Sequence, residues 1–251
     1  MTVKLVAFDL DGTLAPSKGS ISFEMAETLR DLLRVAQVCI VTGGGSKQIF
    51  SQVVSKLPKD TNLRNLHLMP TTGSEYLKTR FGSWKSIYTI NLKPDQQKKI
   101  EDALVYCSEL LGLWPEKSYG QVIDNRGCQI TFSALGQEAP EELKLVWDTD
   151  GSKKESLRSL VATMLPEFEV RSGGSTSIDV TRVGIDKGFA IRELSARTNI
   201  KFENMVFIGD RLDVGGNDYP VISTGVYCKS VSNPDETLQY VKNLIKTLHN
   251  N

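Results

Sequence analysis

Val3-Lys4-Leu5-Val6-Ala7-Phe8-Asp9-Leu10-Asp11-Gly12-Thr13 carries the reading of the fold. Val3–Phe8 is an apolar run with β-branched residues that ends at a carboxylate, the pattern of a strand buried on both faces of a parallel sheet. Asp9 and Asp11 follow at spacing i, i+2. Just past a strand end, both can approach the crevice at the carboxyl edge of an open α/β sheet, where such folds bind ligands. Gly12 lets the chain turn away sharply. Alone, the stretch reads equally well as an acidic strand-end turn, because Asp-Gly is a common turn dipeptide. It lacks the apolar core and small-residue cleavage site of a secretion signal.

Outward from that strand, apolar strands and helical stripes alternate. Ser22 is placed to cap a helix with Met25, Leu29, Leu32 and Leu33 on one face. Val38–Val41 is a second strand, stopped by Gly43-Gly44-Gly45; Ile49, Val53 and Leu57 form a second helical stripe, and Leu66–Met69 reads as a third strand. The middle differs. A helix opens at Pro94, a hairpin turns at Asn125-Arg126-Gly127, a helix runs over 152–165, and strands flank Gly173-Gly174. The alternation resumes with a helix from Asp186, strands at Met205–Ile208 and Val226–Cys228, and a last helix from Asp235. The pattern predicts an α/β protein: a Rossmann-like parallel-sheet core over 1–83 and 184–251, with an inserted α+β cap over 84–183.

Composition excludes several functions. The 251 residues carry 30 Lys+Arg against 30 Asp+Glu, so the basic excess of a nucleic-acid binder is missing. No apolar run approaches the roughly 20 residues of a membrane span. Cys39, Cys107, Cys128 and Cys228 are scattered and the only histidines are His67 and His249, which disfavours a Cys/His zinc site and suggests reduced thiols in a cytoplasmic protein. Carboxylates are left to carry any chemistry.

Three further pieces complement Asp9 and Asp11. Val41-Thr42-Gly43 ends the second strand with a hydroxyl, Ile208-Gly209-Asp210 ends a later one with a carboxylate, and Gly215-Gly216-Asn217-Asp218 follows; Lys187 opens the helix between them. Singly these are a cap, a turn, a loop and a solvated lysine. Together they supply carboxylates for a hard cation, a hydroxyl donor and an ammonium, a set suited to a phosphoryl group bound through magnesium.

Phe8-Asp9-Leu10-Asp11-Gly12-Thr13, Thr42, Lys187 and the stretch from Gly209 to Asp218 resemble the four motifs of the haloacid dehalogenase-like superfamily. The α/β cap between the second and third motifs resembles the branch of sugar phosphatases and eukaryotic-type phosphomannomutases. The likeness to the mutases includes Asn125-Arg126-Gly127 and Gly173–Val180. The resemblance implies Asp9 as nucleophile, Asp11 as general acid and base, Thr42 as donor to a phosphoryl oxygen with Gly43 beside it in substrate binding, and Lys187 as charge neutraliser. It implies Mg²⁺ held by Asp9, the Asp11 carbonyl and Asp210, with Asn217 or Asp218 as ligand or outer support. In the cap it implies a sugar-phosphate grip from Arg126, Ser177 and Asp179. Gln137, Lys144 and Lys18 stand where the mutases have arginine.

Because the cationic cap set is thinned, the expectation is a Mg²⁺-dependent phosphatase of small phosphorylated metabolites, sugar phosphates above all, acting through an aspartyl-phosphate. The alternative is a hexose phosphomutase (phosphomannomutase) using the same nucleophile. A third reading is an idle sugar-phosphate-binding protein, against which the complete motif set argues. The expected partner is a small phosphate ester, with no nucleic acid and no membrane, and mutases of this type add the expectation of a homodimer through the cap.

Overall fold

The computed structural model describes residues 3–249. In chain order the elements are β1 (Leu5–Phe8), α1 (Phe23–Val35), β2 (Gln37–Val41), α2 (Ser46–Gln52), β3 (Leu66–Met69), β4 (Glu75–Arg80) and β5 (Ser83–Thr89). There follow α3 (Pro94–Leu110), β6 (Ile123–Asn125), β7 (Ile130–Ser133), α4 (Glu141–Trp147), α5 (Ser152–Met164), β8 (Phe168–Ser172) and β9 (Ser177–Arg182). The chain then returns through α6 (Lys187–Thr198), β10 (Met205–Gly209), α7 (Tyr219–Ile222), β11 (Tyr227–Ser230) and α8 (Pro234–His249).

The first sheet runs β11-β10-β1-β2-β3-β4-β5, parallel through β3 and closed by the antiparallel hairpin β4–β5. Its centre is buried on both faces, and the period of two assigns each residue to one of them. Val6 and Phe8 of β1, Val38 and Ile40 of β2, and Val206 and Ile208 of β10 join Leu29 and Leu33 of α1 and Val241 of α8 in one core. Leu5, Ala7, Cys39, Val41, Met205 and Phe207 join Ala190, Ile191 and Leu194 of α6 in the other. A one-residue slip would exchange the two sets, so packing fixes the register. That register pairs Phe8 with both Ile40 and Ile208, and so brings the ends of β1, β2 and β10 to one edge.

The chain divides at 89/90 and 185/186. The sequence pattern placed the first division at 83/84, but β5 pairs along its length with β4 and belongs to the first unit. The second unit, Ile90–Ile185, is a four-stranded antiparallel sheet in the order β6-β7-β9-β8. One face, with Ile130, Phe132, Val170, Ile178 and Val180, packs on Ile100 and Leu104 of α3 and Leu157 and Val161 of α5. Residues of opposite parity (Asp124, Thr131, Ser133, Glu169, Arg171, Ser177, Asp179) share the other face. Among the described residues, no helix is long and apolar enough to cross a membrane.

Ser22 caps α1 as expected, accepting from the Met25 N–H at 3.1 Å. The stripe Ile49-Val53-Leu57 does not continue as one helix: α2 stops at Gln52, and Val54–Lys56 is a 3₁₀ turn. His67, on β3, lies in the core, with Nδ1 2.6 Å from the Tyr76 hydroxyl and Nε2 2.8 Å from Gln37 Oε1. Nε2–H donates to the amide oxygen and Nδ1 accepts from the phenol, so the neutral ring is fully satisfied. Burial, with the charge of Lys78 adding to it, lowers the imidazole pKa from its usual 6.5 to about 3. The unfolded chain therefore takes up a proton that the folded one refuses. This contribution to stability is complete above pH 6.5 and is lost as pH falls towards 3, with a slope approaching about 1.4 kcal/mol per pH unit. Urea unfolding between pH 7 and 4 should show that slope, and His67→Gln should flatten it.

Candidate active site

β1 ends at Phe8, and the next residue, Asp9, donates its backbone N–H to the Ile208 carbonyl at 2.9 Å, continuing the ladder beyond the strand. Asp9 is therefore positioned by the sheet itself, with only 3% of its surface exposed. α6 begins at Lys187 because Asp186 caps it, accepting from the Phe189 N–H at 2.6 Å. The Lys187 side chain is fully buried; its Nζ lies 2.6 Å from Asp9 Oδ1 and 2.5 Å from Asp218 Oδ1. Asp218 is also wholly buried, and its second oxygen accepts from the Arg211 N–H at 3.1 Å. Asp210, the residue after β10, receives the Thr13 hydroxyl at 3.4 Å. One oxygen from each of Asp9, Asp210 and Asp218 lies within 4.8 Å of the others.

Three carboxylates thus share one cluster with an ammonium that two of them bind. Burial alone would lower the Lys187 pKa, but Asp218 and then Asp9 hold it above the ordinary lysine range. Burial raises Asp9 well above the usual carboxylate range against the pull of Lys187, and Asp218 and Asp210 push it the same way. Asp210 is raised by burial and by the charge of Asp218. The donor set is short of positive charge by two units when all three acids are ionised, and hard oxygen ligands with that deficit fit a small divalent cation.

Gly12 is required here. Its φ of +82° favours glycine, and a Cβ at this position would come within 2.6 Å of Asp210 Oδ2. The turn that follows it is closed by the Gly12 N–H on the Ala15 carbonyl at 2.8 Å. Asp11 Oδ1 accepts from the Lys18 backbone N–H at 2.6 Å and Oδ2 from Gln48 Nε2 at 2.8 Å. Thr42 is buried at the end of β2; its oxygen accepts from the Gly44 N–H at 3.1 Å, which leaves the hydroxyl proton to donate. Gly43 lies in the loop between β2 and α2.

The first unit therefore gathers Asp9, Lys187, Asp210 and Asp218 into one cluster. Asn217 is exposed, and it is the carboxylate of Asp218 that joins the group. Sequence reasoning gave no role to Thr13, Gln48 or the Arg211 N–H, since none stands out without knowledge of what it touches.

The expected cap residues lie in the second unit. Asp179 accepts from Thr131 Oγ1 at 2.6 Å, and Ser177 Oγ is 2.9 Å from Ser133 Oγ across the β7–β9 ladder. Arg126 Nε donates to Asp124 at 2.8 Å. Lys144, nearly buried on α4, reaches the Gln137 carbonyl at 3.3 Å. The structure adds Arg171, which stands directly opposite Asp179 in the β8–β9 register and which the sequence reading passed over.

Comparison with known proteins sets this geometry in a lineage. Residues 25–247 match the model of the eukaryotic phosphomannomutase family. A probable phosphomannomutase of Caenorhabditis elegans is 28% identical over 256 residues, covering 97% of this chain and 96% of that protein. The phosphomannomutase of Schizosaccharomyces pombe is 27% identical, covering 96% and 93%. Among solved structures, a haloacid dehalogenase-like hydrolase from Bacteroides thetaiotaomicron aligns with a TM-score of 0.66 at 16% identity, over 97% of this chain and 100% of that one. An IMP-nucleotidase from Plasmodium falciparum gives 0.73 at 19%, over 99% and 69%. These two share the fold.

The matches correct the expectation of a phosphatase, because the family and the relatives spanning the chain are mutases. That expectation rested on a count of cap arginines.

Removing the central cation tests the cluster. Lys187→Met strands buried carboxylates, and breaking a buried ion pair costs about 3–5 kcal/mol. In chelator, the variant should lose that much stability at pH 8 and less at pH 5, where the raised carboxyls of Asp9 and Asp210 are closer to protonation. Urea unfolding at the two pH values reads the difference.

Proposed function

The chain belongs to the eukaryotic phosphomannomutase family of the haloacid dehalogenase-like superfamily, and from that premise we propose that it interconverts hexose 1- and 6-phosphates, mannose phosphates first, as a Mg²⁺-dependent mutase. The observation that carries the reading is the buried Asp9–Lys187–Asp218 array beside Asp210, with Asp11 two residues from the nucleophile and outside the array.

Asp9 Oδ1 is bound to Lys187, so Oδ2 is the attacking atom. It forms a bond to phosphorus while the ester P–O bond breaks, and Asp11 gives its proton to the leaving sugar oxygen. In the return step a hydroxyl of a hexose monophosphate gives its proton to Asp11 and attacks phosphorus. The Asp9–phosphorus bond breaks and the Asp9 carboxylate is restored. Thr42 donates its hydroxyl proton to a phosphoryl oxygen, and Lys187 neutralises charge on Asp9 and on the transferred group. The carboxylates of Asp9 and Asp210 would hold the magnesium, which when bound adds neutralisation of phosphoryl charge; Asp218, tied to Lys187 and to the Arg211 N–H, orients the ammonium. Arg126, Ser177, Asp179, Lys144 and Gln137 would grip the phosphate and hydroxyls of the sugar not under attack, and Gly43 would lie with Thr42 beside the transferred phosphoryl group.

The decisive measurement supplies mannose 1-phosphate, a hexose bisphosphate and Mg²⁺, and follows mannose 6-phosphate and free phosphate together. Mannose 6-phosphate should be the main product, and free phosphate as the main product would refute the proposal. Asp9→Asn should lower turnover by several orders of magnitude, as loss of a covalent nucleophile does. Asp11→Asn should lower it roughly 10²–10⁴-fold. Asp210→Ala should raise the Mg²⁺ concentration needed for half-maximal rate, and excess EDTA should silence the wild type.

A further inference from the structure

We infer that Gln48 is a positioning residue for the general acid–base: its amide fixes the Asp11 carboxyl group in one orientation for both half-reactions, and Gln52 fixes the amide. The inference rests on the mutase reading for the role of Asp11, and on independent geometry for the role of Gln48.

The two hydrogens of Gln48 Nε2 have separate destinations, Asp11 Oδ2 at 2.8 Å and Gln52 Oε1 at 3.1 Å. Gln52 lies one turn further along α2 and is buried, and its backbone carbonyl accepts the Ile21 N–H at 3.0 Å, so the anchor belongs to the core. An amide can lie either way round, and with nitrogen towards Asp11 both of its hydrogens find acceptors. Turned over, the Gln48 oxygen would face the ionised Asp11 carboxylate and the Gln52 oxygen together, three acceptors with no proton among them. Gln52 therefore selects the rotamer in which nitrogen faces Asp11. Gly44 leaves room for the end of this side chain: a Cβ there would lie 1.9 Å from Gln48 Oε1.

The other oxygen of Asp11 is held by the Lys18 N–H at 2.6 Å, from an exposed loop residue with φ of +55°. One tether alone leaves a carboxyl group free to swing about that contact. Two tethers, one on each oxygen, set both its plane and its distance. A mutase needs that constancy more than a hydrolase does, because the same group must protonate an oxygen at one end of the sugar and deprotonate an oxygen at the other. Each of the two oxygens retains a lone pair for the proton in transit.

A positioning role has a signature that a structural one lacks. Asp11 matters in proportion to how poor the leaving group is, so the loss of its tether should spare esters whose leaving oxygen needs no proton. The test compares wild type, Gln48→Met, which keeps length and removes the donor, and Gln52→Leu, which removes only the acceptor that orients Gln48. Leaving-group release is measured from p-nitrophenyl phosphate and from a hexose bisphosphate, with thermal melting to show that each variant is folded. For the bisphosphate, Gln48→Met should lower kcat about tenfold to a hundredfold with KM changed less than about threefold, part of the roughly 10²–10⁴-fold worth of acid–base catalysis. For p-nitrophenyl phosphate the loss should stay under about threefold. Gln52→Leu should show the same leaving-group dependence at smaller amplitude. Equal losses on the two esters, or none on either in a folded Gln48→Met protein, overturn the inference. Release that shows the dependence without any conversion of mannose 1-phosphate to mannose 6-phosphate keeps Gln48 and overturns the mutase reading. A wild type that releases neither leaving group overturns both.

Discussion

Lys187 is an ammonium in a place where an unpaired one could not exist. It is fully buried, and it stands at the first position of α6, where the helix dipole opposes a positive charge. Two carboxylates at hydrogen-bonding distance are what make the position tenable, and they come from distant parts of the chain: Asp9 from the end of β1, Asp218 from the loop after β10. The first unit must therefore bring its opening strand and its closing segment together before the ammonium can be buried. The Phe8–Ile208 pairing does this by setting Asp9 in register with Gly209. Catalysis and folding depend on the same contact, because a buried charge of either sign without its partner is a large penalty.

Much of this was legible in the sequence because it is periodic or punctuated. The strands at Leu5, Val38, Leu66 and Met205 are short apolar runs ending in polar residues, and Ser22 and Asp186 are caps at their helix starts. The hairpin β4–β5 was not legible. Its turn is Phe81-Gly82, with Phe81 at φ +51°, and no rule of turn composition points to a fully exposed phenylalanine in a left-handed conformation. Its strands carry Lys78, Arg80 and Lys85 among their apolar residues, as suits the edge of a sheet, and this blurs the alternation. α4 was hidden for a related reason: Glu141–Trp147 has exposed Leu143, Leu145 and Val146 and buries Lys144, the reverse of an amphipathic helix. In the site, motif residues were visible and their supports were not. Gln48, Thr13 and Arg171 are defined only by what they touch.

The correction from phosphatase to mutase has a physical moral about counting charges. A residue-by-residue tally asks whether each arginine of a pattern is present. Binding asks what charge and hydrogen-bonding capacity the surface presents as a whole. In the second unit, Lys144 sits against the Gln137 carbonyl, and Arg171 stands opposite Asp179 in the neighbouring strand. A lysine binds phosphate as a point charge and an arginine as a fork, so the substitution changes geometry before it changes the sum of charges. The tally was thus sensitive to the wrong variable.

Asp9 and Asp11 are separated by one residue and given opposite surroundings. Asp9 lies in a buried ionic cluster with Lys187, Asp210 and Asp218, where its position is locked by charge and by the sheet. Asp11 is half-buried, and neutral amides hold its two oxygens, the Lys18 N–H on one and the Gln48 side chain on the other. A nucleophile must be ionised and aimed, and Lys187 pulls Asp9 that way against the burial that raises it. A group that gives up a proton and later takes one back cannot be bound to a permanent cation, because that cation would favour one of its two states over the other. Neutral amides fix its direction without placing a permanent charge against it. The turn at Gly12 serves the division by bringing the following loop back, so that the Lys18 N–H meets Asp11 while Asp9 stays with Lys187.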